Sequence, residues 1–397
     1  MYSQSKKILI LSTRLPYPLL GGDRIRINNF CKALAQQHRV DLLVISEGKV
    51  EQEHINNLKK LGIGVTVFSF SSIRCKINAL KGMVTKIPLQ VSYYYFKEVQ
   101  QWIDGHIHEY DVTICNHIRG AEYFRKSKIK KIIDLHDAIS LNYFRASEFA
   151  SGIWKQIYSI ENTRLLPYEL HAIESFDKAL IVSSVDRNFL ISKGANAQKI
   201  SVLPVAVDDK IFTYKRNQIE KDWIVFVGKM NTVANADAAV YFTTMIFPQI
   251  QSILPNIELF IVGADPSSSV KALAGIHGVH VTGRVENHLE YISQAKVVID
   301  PMRFGAGMQN KVLEAMAMSK TVVASTLATE GIEGEHNKHF IVADSIDNVV
   351  NSIVNVMCDS ALRERIGQEA SALIREKYSW GVVGNTLQSI VHDVCNT

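Results

Sequence analysis

The chain has 397 residues, 47% hydrophobic and 21% charged, with 9 prolines and 22 glycines. That is the composition of an ordinary soluble globular protein, and it excludes long disorder, a collagen-like repeat and a disulfide scaffold. The net charge of +5 is unevenly placed: residues 1–205 carry 28 basic against 18 acidic residues, and residues 206–397 carry 16 against 21. At about 150 residues per domain, the length predicts two or three domains.

Five cysteines (Cys31, Cys75, Cys115, Cys358 and Cys395) are scattered without CxxC spacing. This argues against structural zinc and a redox dithiol, and it fits a reducing cytoplasm. The apolar run Ile8–Leu11 is too short for a signal-peptide core, and no stretch approaches the roughly 18 apolar residues of a spanning helix. The basic first half is expected to face something anionic. Its densest part is Arg125-Lys-Ser-Lys-Ile-Lys-Lys131, which reads either as a solvated turn or as a peripheral contact with an anionic inner membrane. No nucleic-acid partner is expected.

Short β-branched runs alternate with helical stretches from end to end. Strands are predicted at Ile8–Ser12, Val40–Ile45, Val65–Phe68, Val112–Cys115, Ile132–Leu135, Ala179–Val182 and Ser201–Leu203. A second series follows at Ile224–Val227, Leu259–Val262, Val279–Val281, Val297–Ile299, Thr321–Val323 and Phe340–Val342. Continuous apolar strands separated by helices indicate parallel sheets covered on both faces. Thirteen strands exceed one comfortable open sheet, so the expected α/β fold has two Rossmann-like domains whose parallel sheets face across a cleft. The expected boundaries are an N-terminal domain over 1–205, a polar linker over 206–222, a C-terminal domain over 223–377, and a final helix over 378–397 that packs back on the first domain.

The most informative segment is 297–318. A strand ends at Asp300-Pro301, Gly305 and Gly307 permit a tight loop, and a helix starts at about Gln309. Free amides at that helix start attract an anion. Lys311 in the first turn opposes the helix dipole unless it has an anionic partner. Glu314 lies three residues on, along the same face. Phosphate on the loop and Lys311, with ribose on Glu314, is one reading; a plain Lys–Glu surface pair is the other. Gly305-Ala-Gly307 lacks the third glycine of a dinucleotide fingerprint.

The segment Gly307-Met-Gln-Asn-Lys-Val-Leu-Glu-Ala-Met-Ala-Met318 resembles the donor-binding motif of family-4 (group 1) glycosyltransferases of the GT-B fold. Among these it looks most like the bacterial exopolysaccharide-associated sugar transferases. Pro16-Tyr-Pro-Leu-Leu-Gly-Gly-Asp-Arg-Ile-Arg26 resembles the family's N-terminal glycine loop, and Val207-Asp208 its Gly-Val-Asp stretch. Val225-Phe-Val-Gly-Lys-Met230, Phe260-Ile-Val-Gly263 and Val281-Thr-Gly-Arg-Val285 resemble strand ends of its second domain.

The resemblance implies that Lys311 binds the donor diphosphate and Glu314 the ribose. Lys229 stands where many relatives have a diphosphate-binding arginine, and Arg303 is a candidate for a further phosphate contact. The first of the family's two glutamates, seven residues apart, falls on Ala306, so the amides of Ala306, Gly307 and Met308 would hold the sugar. Glu330 is a candidate for touching nucleotide or sugar, and Gly22 brings backbone close to donor or acceptor. Arg24 and Arg26 either reach an anionic acceptor or pair with Asp23 and Asp41. In Ile132-Ile-Asp-Leu-His-Asp137, His136 resembles the family's histidine near the reacting sugar, with Asp134 and Asp137 beside it; the other twelve histidines have no comparable setting. Glu169 and Glu174, on a helix expected over Leu165–Phe176, read as structural. No metal ligand set is expected, since no strand-flanked DxD occurs.

The implied activity is a metal-independent, retaining transfer of a sugar from a nucleotide diphosphate, UDP- or GDP-linked, with no other cofactor. The acceptor would be a glycan or lipid-linked sugar in bacterial surface polysaccharide synthesis. Two alternatives share the fold: a sugar-nucleotide epimerase, and a non-catalytic partner in a polysaccharide-assembly complex.

Overall fold

The computed structural model describes residues 5–19, 21–149, 152–214, 219–305 and 307–396. The chain forms two compact units, residues 1–205 with 383–397, and residues 206–382. The first unit opens with β1 (Lys7–Ser12), α1 (Gly22–Ala35), β2 (Arg39–Glu47), α2 (Gln52–Lys59) and β3 (Gly64–Phe70). Then come α3 (Ser72–Gly82), α4 (Leu89–Tyr93), α5 (Lys97–His106), β4 (Val112–Asn116) and β5 (Lys130–His136). It continues through α6 (Ile139–Phe149), α7 (Gly152–Ser175), β6 (Lys178–Ile181), α8 (Ser184–Ser192) and β7 (Ile200–Val202).

The second unit opens with β8 (Lys221–Val227), α9 (Val233–Tyr241), α10 (Phe247–Ile253), β9 (Glu258–Val262) and α11 (Ser268–Ala272). It goes on with β10 (Val279–Gly283), α12 (Leu289–Gln294), β11 (Ala295–Asp300), α13 (Asn310–Ala317) and β12 (Val322–Ala324). Its remaining elements are α14 (Thr326–Thr329), β13 (Ile341–Val342), α15 (Ile346–Cys358) and α16 (Ser360–Lys377), and the final helix α17 (Trp380–Asn396) belongs from residue 383 onward to the first unit.

All thirteen expected strands are present, in two wholly parallel sheets. The first has the order β3-β2-β1-β4-β5-β6-β7 and the second β10-β9-β8-β11-β12-β13. Their sequences read as unbroken apolar runs because helices cover both faces: Ile8 to Leu11 and all of β4 are buried. Each fully buried Leu or Ile contributes about 1.5–3 kcal/mol. Strand order reverses between β1 and β4, and again between β8 and β11. At such reversals the loops part, and ligands bind beyond the carboxyl ends of the strands.

The final helix begins at Trp380, where Val207 and Ser379 form an isolated bridge, so part of the stretch expected as a linker packs within the second unit. α7 is longer than the helix expected from Leu165. The helix runs through Pro167. No helix among the described residues is long and apolar enough to cross a membrane.

Candidate functional site

In the second unit, candidate residues collect where strand order reverses. Lys229 follows β8, and Gly228 lies against Gly263 after β9. A Cβ on Gly263 would fall 1.7 Å from the Gly228 carbonyl oxygen, so only glycine lets the two loops approach. Asp300 ends β11 and is fully buried. Lys311, in the first turn of α13, is 8% exposed. Its Nζ lies 3.0 Å from Asp300 Oδ1, donates to Asn235 Oδ1 at 2.9 Å, and sits 4.6 Å from the Phe226 ring centroid.

Burial pushes the Asp300 carboxyl up and Lys311 opposes that shift. The Asp300 oxygens accept no well-angled hydrogen bond among the described residues, so Lys311 is their only charge partner there. Asn235 ties the group together: its Nδ2 donates to the Lys229 carbonyl at 3.2 Å. The Lys229 side chain is exposed and makes no ion pair among the described residues.

Some helix starts in the fold are closed by a side chain and others are not. Ser183, Ser325, Ser345 and Asp359 each cap a helix by accepting a backbone N–H. No such side-chain cap closes α1, α9 or α13. The α13 amides therefore remain available beside a buried cation, which is a setting for a phosphate group.

Lys311 and Glu314 are not a surface pair: Glu314 Oε2 bonds His288 Nε2 at 2.8 Å. Burial alone would lower the His288 pKa, but the hydrogen bond and charge of Glu314 raise it. Arg303 is held by Asp237 through bonds of 2.9 and 2.5 Å and lies over the Tyr241 ring, so a phosphate contact would require it to leave a bidentate partner. It lines, with Tyr241, Met302, Ser325, Thr326 and Glu330, a cavity of about 510 Å³. Ala306 lies outside the described residues. Gly305 and Gly307 have φ of 136° and 78°, and the Gly307 carbonyl accepts from Gln309 Nε2 at 3.1 Å, while Met308 is half-buried beside it.

In the first unit, Asp134 on β5 is fully buried, and Arg26 of α1 grips it through bonds of 2.9 and 2.8 Å. Arg26 also donates to the carbonyls of Leu203 and Pro204. Its donors are spent inside the unit, so it buttresses Asp134 and is not presented to an acceptor. Its expected partners are taken too: Arg14 pairs with Asp23 at 2.5 Å, and the Tyr110 hydroxyl donates to Asp41 at 3.0 Å. Arg24 remains at the surface and donates to the Pro18 carbonyl at 3.3 Å. Gly22 is the first residue of α1, behind Gly21 at φ 91°.

His136 ends β5 at φ 66°, with Nε2 3.1 Å from Asp134 Oδ2 and 3.1 Å from Asn116 Nδ2. Burial would raise the Asp134 pKa, but Arg26 and His136 hold it far below the usual carboxylate range. An ionised Asp134 favours the proton on Nε2, leaving Nδ1 with its lone pair. Beside it, burial first and Asp186 second push the Asp137 carboxyl up to about 6. Glu169 is structural as expected: it accepts from the Ile139 and Ser140 amides and the Ser140 hydroxyl at the start of α6. Glu174 lies at the exposed end of α7, beside Lys199.

Two histidines were missed. His117 follows β4 at φ 67° and stacks on His136, with centroids 4.1 Å apart. Neither of its ring nitrogens finds a partner among the described residues, and burial pushes its pKa well down. Its position directly after a strand end, like that of His136, was the available signal. His288 had none, because its pairing with Glu314 spans 26 residues.

Residues 221–359 match the family described as glycosyl transferases group 1. A Klebsiella pneumoniae protein described as an uncharacterized 44.6 kDa protein in the cps region is 24% identical over 94% of this chain and 96% of its own length. Among solved structures, HepE of Anabaena in complex with UDP and glucose superposes with a TM-score of 0.66 at 16% identity, over 98% of this chain and 100% of that one. Sucrose-phosphate synthase from Thermosynechococcus elongatus reaches a TM-score of 0.71 at 14% identity, over 98% and 99%. The two parallel-sheet units thus have the GT-B architecture, and residues 221–359 carry a glycosyl transferase group 1 domain.

Proposed function

We propose that the chain is a family-4 enzyme that moves a hexose from a nucleotide diphosphate, UDP- or GDP-linked, to a glycan or lipid-linked acceptor, with retention and without a metal. The observation that carries this reading is the buried Lys311 beside the uncapped start of α13, inside the group 1 domain. When the bond from sugar to diphosphate breaks, negative charge grows on the departing phosphate. Lys311, Lys229 and the α13 amides supply fixed positive charge where a metal would otherwise serve. Glu314 accepts from the ribose hydroxyls, and His288 holds it in place. In the first unit His136, with Nε2 committed to Asp134, uses Nδ1 to hold a sugar hydroxyl, and Asp137 and Arg24 border the acceptor. Attack from the front face retains the anomeric configuration.

Surface polysaccharide synthesis at the cytoplasmic face of the inner membrane is the setting this reading favours, given the cps-region relative and the basic first unit. Thermal stabilisation by UDP, GDP, CDP, ADP and NAD tests it, since a ligand that binds only the native state raises Tm. One nucleoside diphosphate should shift Tm, and both Lys311→Ala and Glu314→Ala should abolish the shift. Transfer should then survive excess EDTA. A shift that persists in both variants refutes the donor site, and loss of transfer in EDTA refutes metal independence.

A further inference from the structure

In the cation cluster 125–131, read as a solvated turn or a membrane contact, Lys126 and Lys128 stay exposed but the other three cations have partners. Arg125 pairs with Glu122, Lys130 with Asp177, and buried Lys131 donates to the carbonyls of Phe124 and Ser127. A different surface of the first unit stands open. α3 and the turn after it expose Ile73 (70%), Ile77, Leu80 (63%), Met83 and Val84 (90%). At 100° per residue, Ile73, Ile77 and Leu80 fall within about 60° of one another around the helix. Lys76 and Lys81 lie about 40° beyond either edge of that wedge. Buried Cys75 and Gly82 lie opposite, against the rest of the unit.

Charge completes the pattern. Between Glu53 and Glu98 the sequence holds no acidic residue but seven basic ones: Lys59, Lys60, Arg74, Lys76, Lys81, Lys86 and Lys97. Arg74 is engaged by Glu98, whereas Lys76, Lys81 and Lys86 are exposed and make no ion pair among the described residues. A bare apolar wedge between unpaired lysines matches a surface that is apolar inside and anionic outside, which is the profile of an anionic bilayer. A protein partner would need acidic side chains set around an apolar ridge.

We propose that α3 and residues 83–86 are the membrane-docking face of this protein: the helix lies in the plane of an anionic lipid surface, its wedge of Ile73, Ile77, Leu80, Met83 and Val84 immersed and Lys76, Lys81 and Lys86 on the phosphates. This gives the membrane contact proposed above a specific surface, and it does not depend on sugar transfer. α3 starts at the carboxyl end of edge strand β3, four strand positions from β5, or about 19 Å across the sheet. α3 therefore begins at the same carboxyl edge of the first sheet as His136.

Flotation of the full chain with vesicles tests the proposal. Vesicles of phosphatidylcholine with about one third phosphatidylglycerol should bind it at least tenfold better than pure phosphatidylcholine, and salt should weaken the binding. Each lysine contributes about fivefold, so Lys76→Glu with Lys81→Glu and Lys86→Glu should lose on the order of a hundredfold or more. Ile77→Ser with Leu80→Ser and Val84→Ser should lose at least about tenfold. Val84→Trp, which leaves both sets of groups in place, should emit further to the blue only with anionic vesicles. Absent binding, binding that both triple variants keep, or an unmoved Val84→Trp spectrum overturns the proposal. So does a concentration-dependent dimer that the serine variants abolish, which would assign the face to a second copy. Docking needs no donor, so its failure is distinct from a failure of the Lys311 and Glu314 variants to lose nucleotide binding.

Discussion

Replacing Lys311 by Met separates what this residue does for the fold from what it does for the donor. The Met side chain takes the space over Phe226 where the Lys311 ammonium lies, but Asp300 is left fully buried with no cationic partner among the described residues. Removing one member of a buried pair costs about 3–5 kcal/mol, because the remaining charge is uncompensated. The sign with pH follows from Asp300, whose folded pKa is already raised by burial. A raised carboxyl costs nothing below its unfolded pKa, and its cost grows as pH rises until the folded pKa is passed. Without Lys311 that folded pKa rises further, so the loss should be small near pH 5 and reach the full range near pH 8. Asp300→Asn combined with Lys311→Met removes both charges and should recover stability to within about 1 kcal/mol of the parent. Urea denaturation at both pH values measures the cycle, and titration with the nucleoside diphosphate that stabilises the parent measures donor binding. The double variant should be stable yet bind no diphosphate. If Lys311→Met is equally stable at both pH values, the ion pair is not what holds the lysine; if the double variant binds diphosphate normally, Lys311 is not a donor ligand.

Further substitutions test the first unit. Arg26→Ala strips a buried carboxylate of its bidentate partner and should cost about 3–5 kcal/mol in urea denaturation, whereas Arg24→Ala should stay within about 0.5 kcal/mol. His136→Ala should lower transfer kcat/KM by about a hundredfold or more, and His117→Ala by about tenfold with diphosphate binding intact. His117→Phe preserves the ring stack and should recover most of the loss; a defect as deep as that of the alanine variant would refute the stacking role. Glu169, which burial pushes up to about 7 from an ordinary 4.5, should cost no stability below pH 4.5 and roughly 3 kcal/mol once pH exceeds 7. Tm of the parent should therefore fall between pH 5 and 8, and Glu169→Gln should flatten that slope, a result that an unchanged slope would contradict.

What could be read along the chain was the scaffold. Parallel strands buried on both faces are unbroken apolar runs, so Ile8–Leu11, Val112–Cys115 and Val297–Ile299 announced themselves. The points where strand order reverses were not readable, because order within a sheet is a property of pairing between strands. The same limit applied to side chains. Lys311 was found as a cation in a helix's first turn that required an anion, yet Glu314, three residues away, was the nearest candidate in the sequence. The partners, Asp300 and Asn235, lie 11 and 76 residues back and come together only because β8 and β11 are neighbours. Arg26 was misread for the same reason, since Asp134 is 108 residues distant and reaches α1 only across the sheet.

These pairings bear on the donor contacts proposed for Lys311 and Glu314. Lys311 and Glu314 share a helix face, but each is held from a different direction: Lys311 by Asp300 at the end of β11 and by Asn235 of α9, Glu314 by His288 just before α12. An anchored lysine and an anchored glutamate lose little side-chain entropy on meeting a ligand, which favours the preorganised electrostatics that stabilise a leaving diphosphate. Separate anchors also make the two contacts separable. Loosening His288 should weaken the hold on ribose and leave the phosphate contact intact, while loosening Asn235 should do the reverse. A single Lys311–Glu314 pair would have coupled them, and any change to one would have disturbed both.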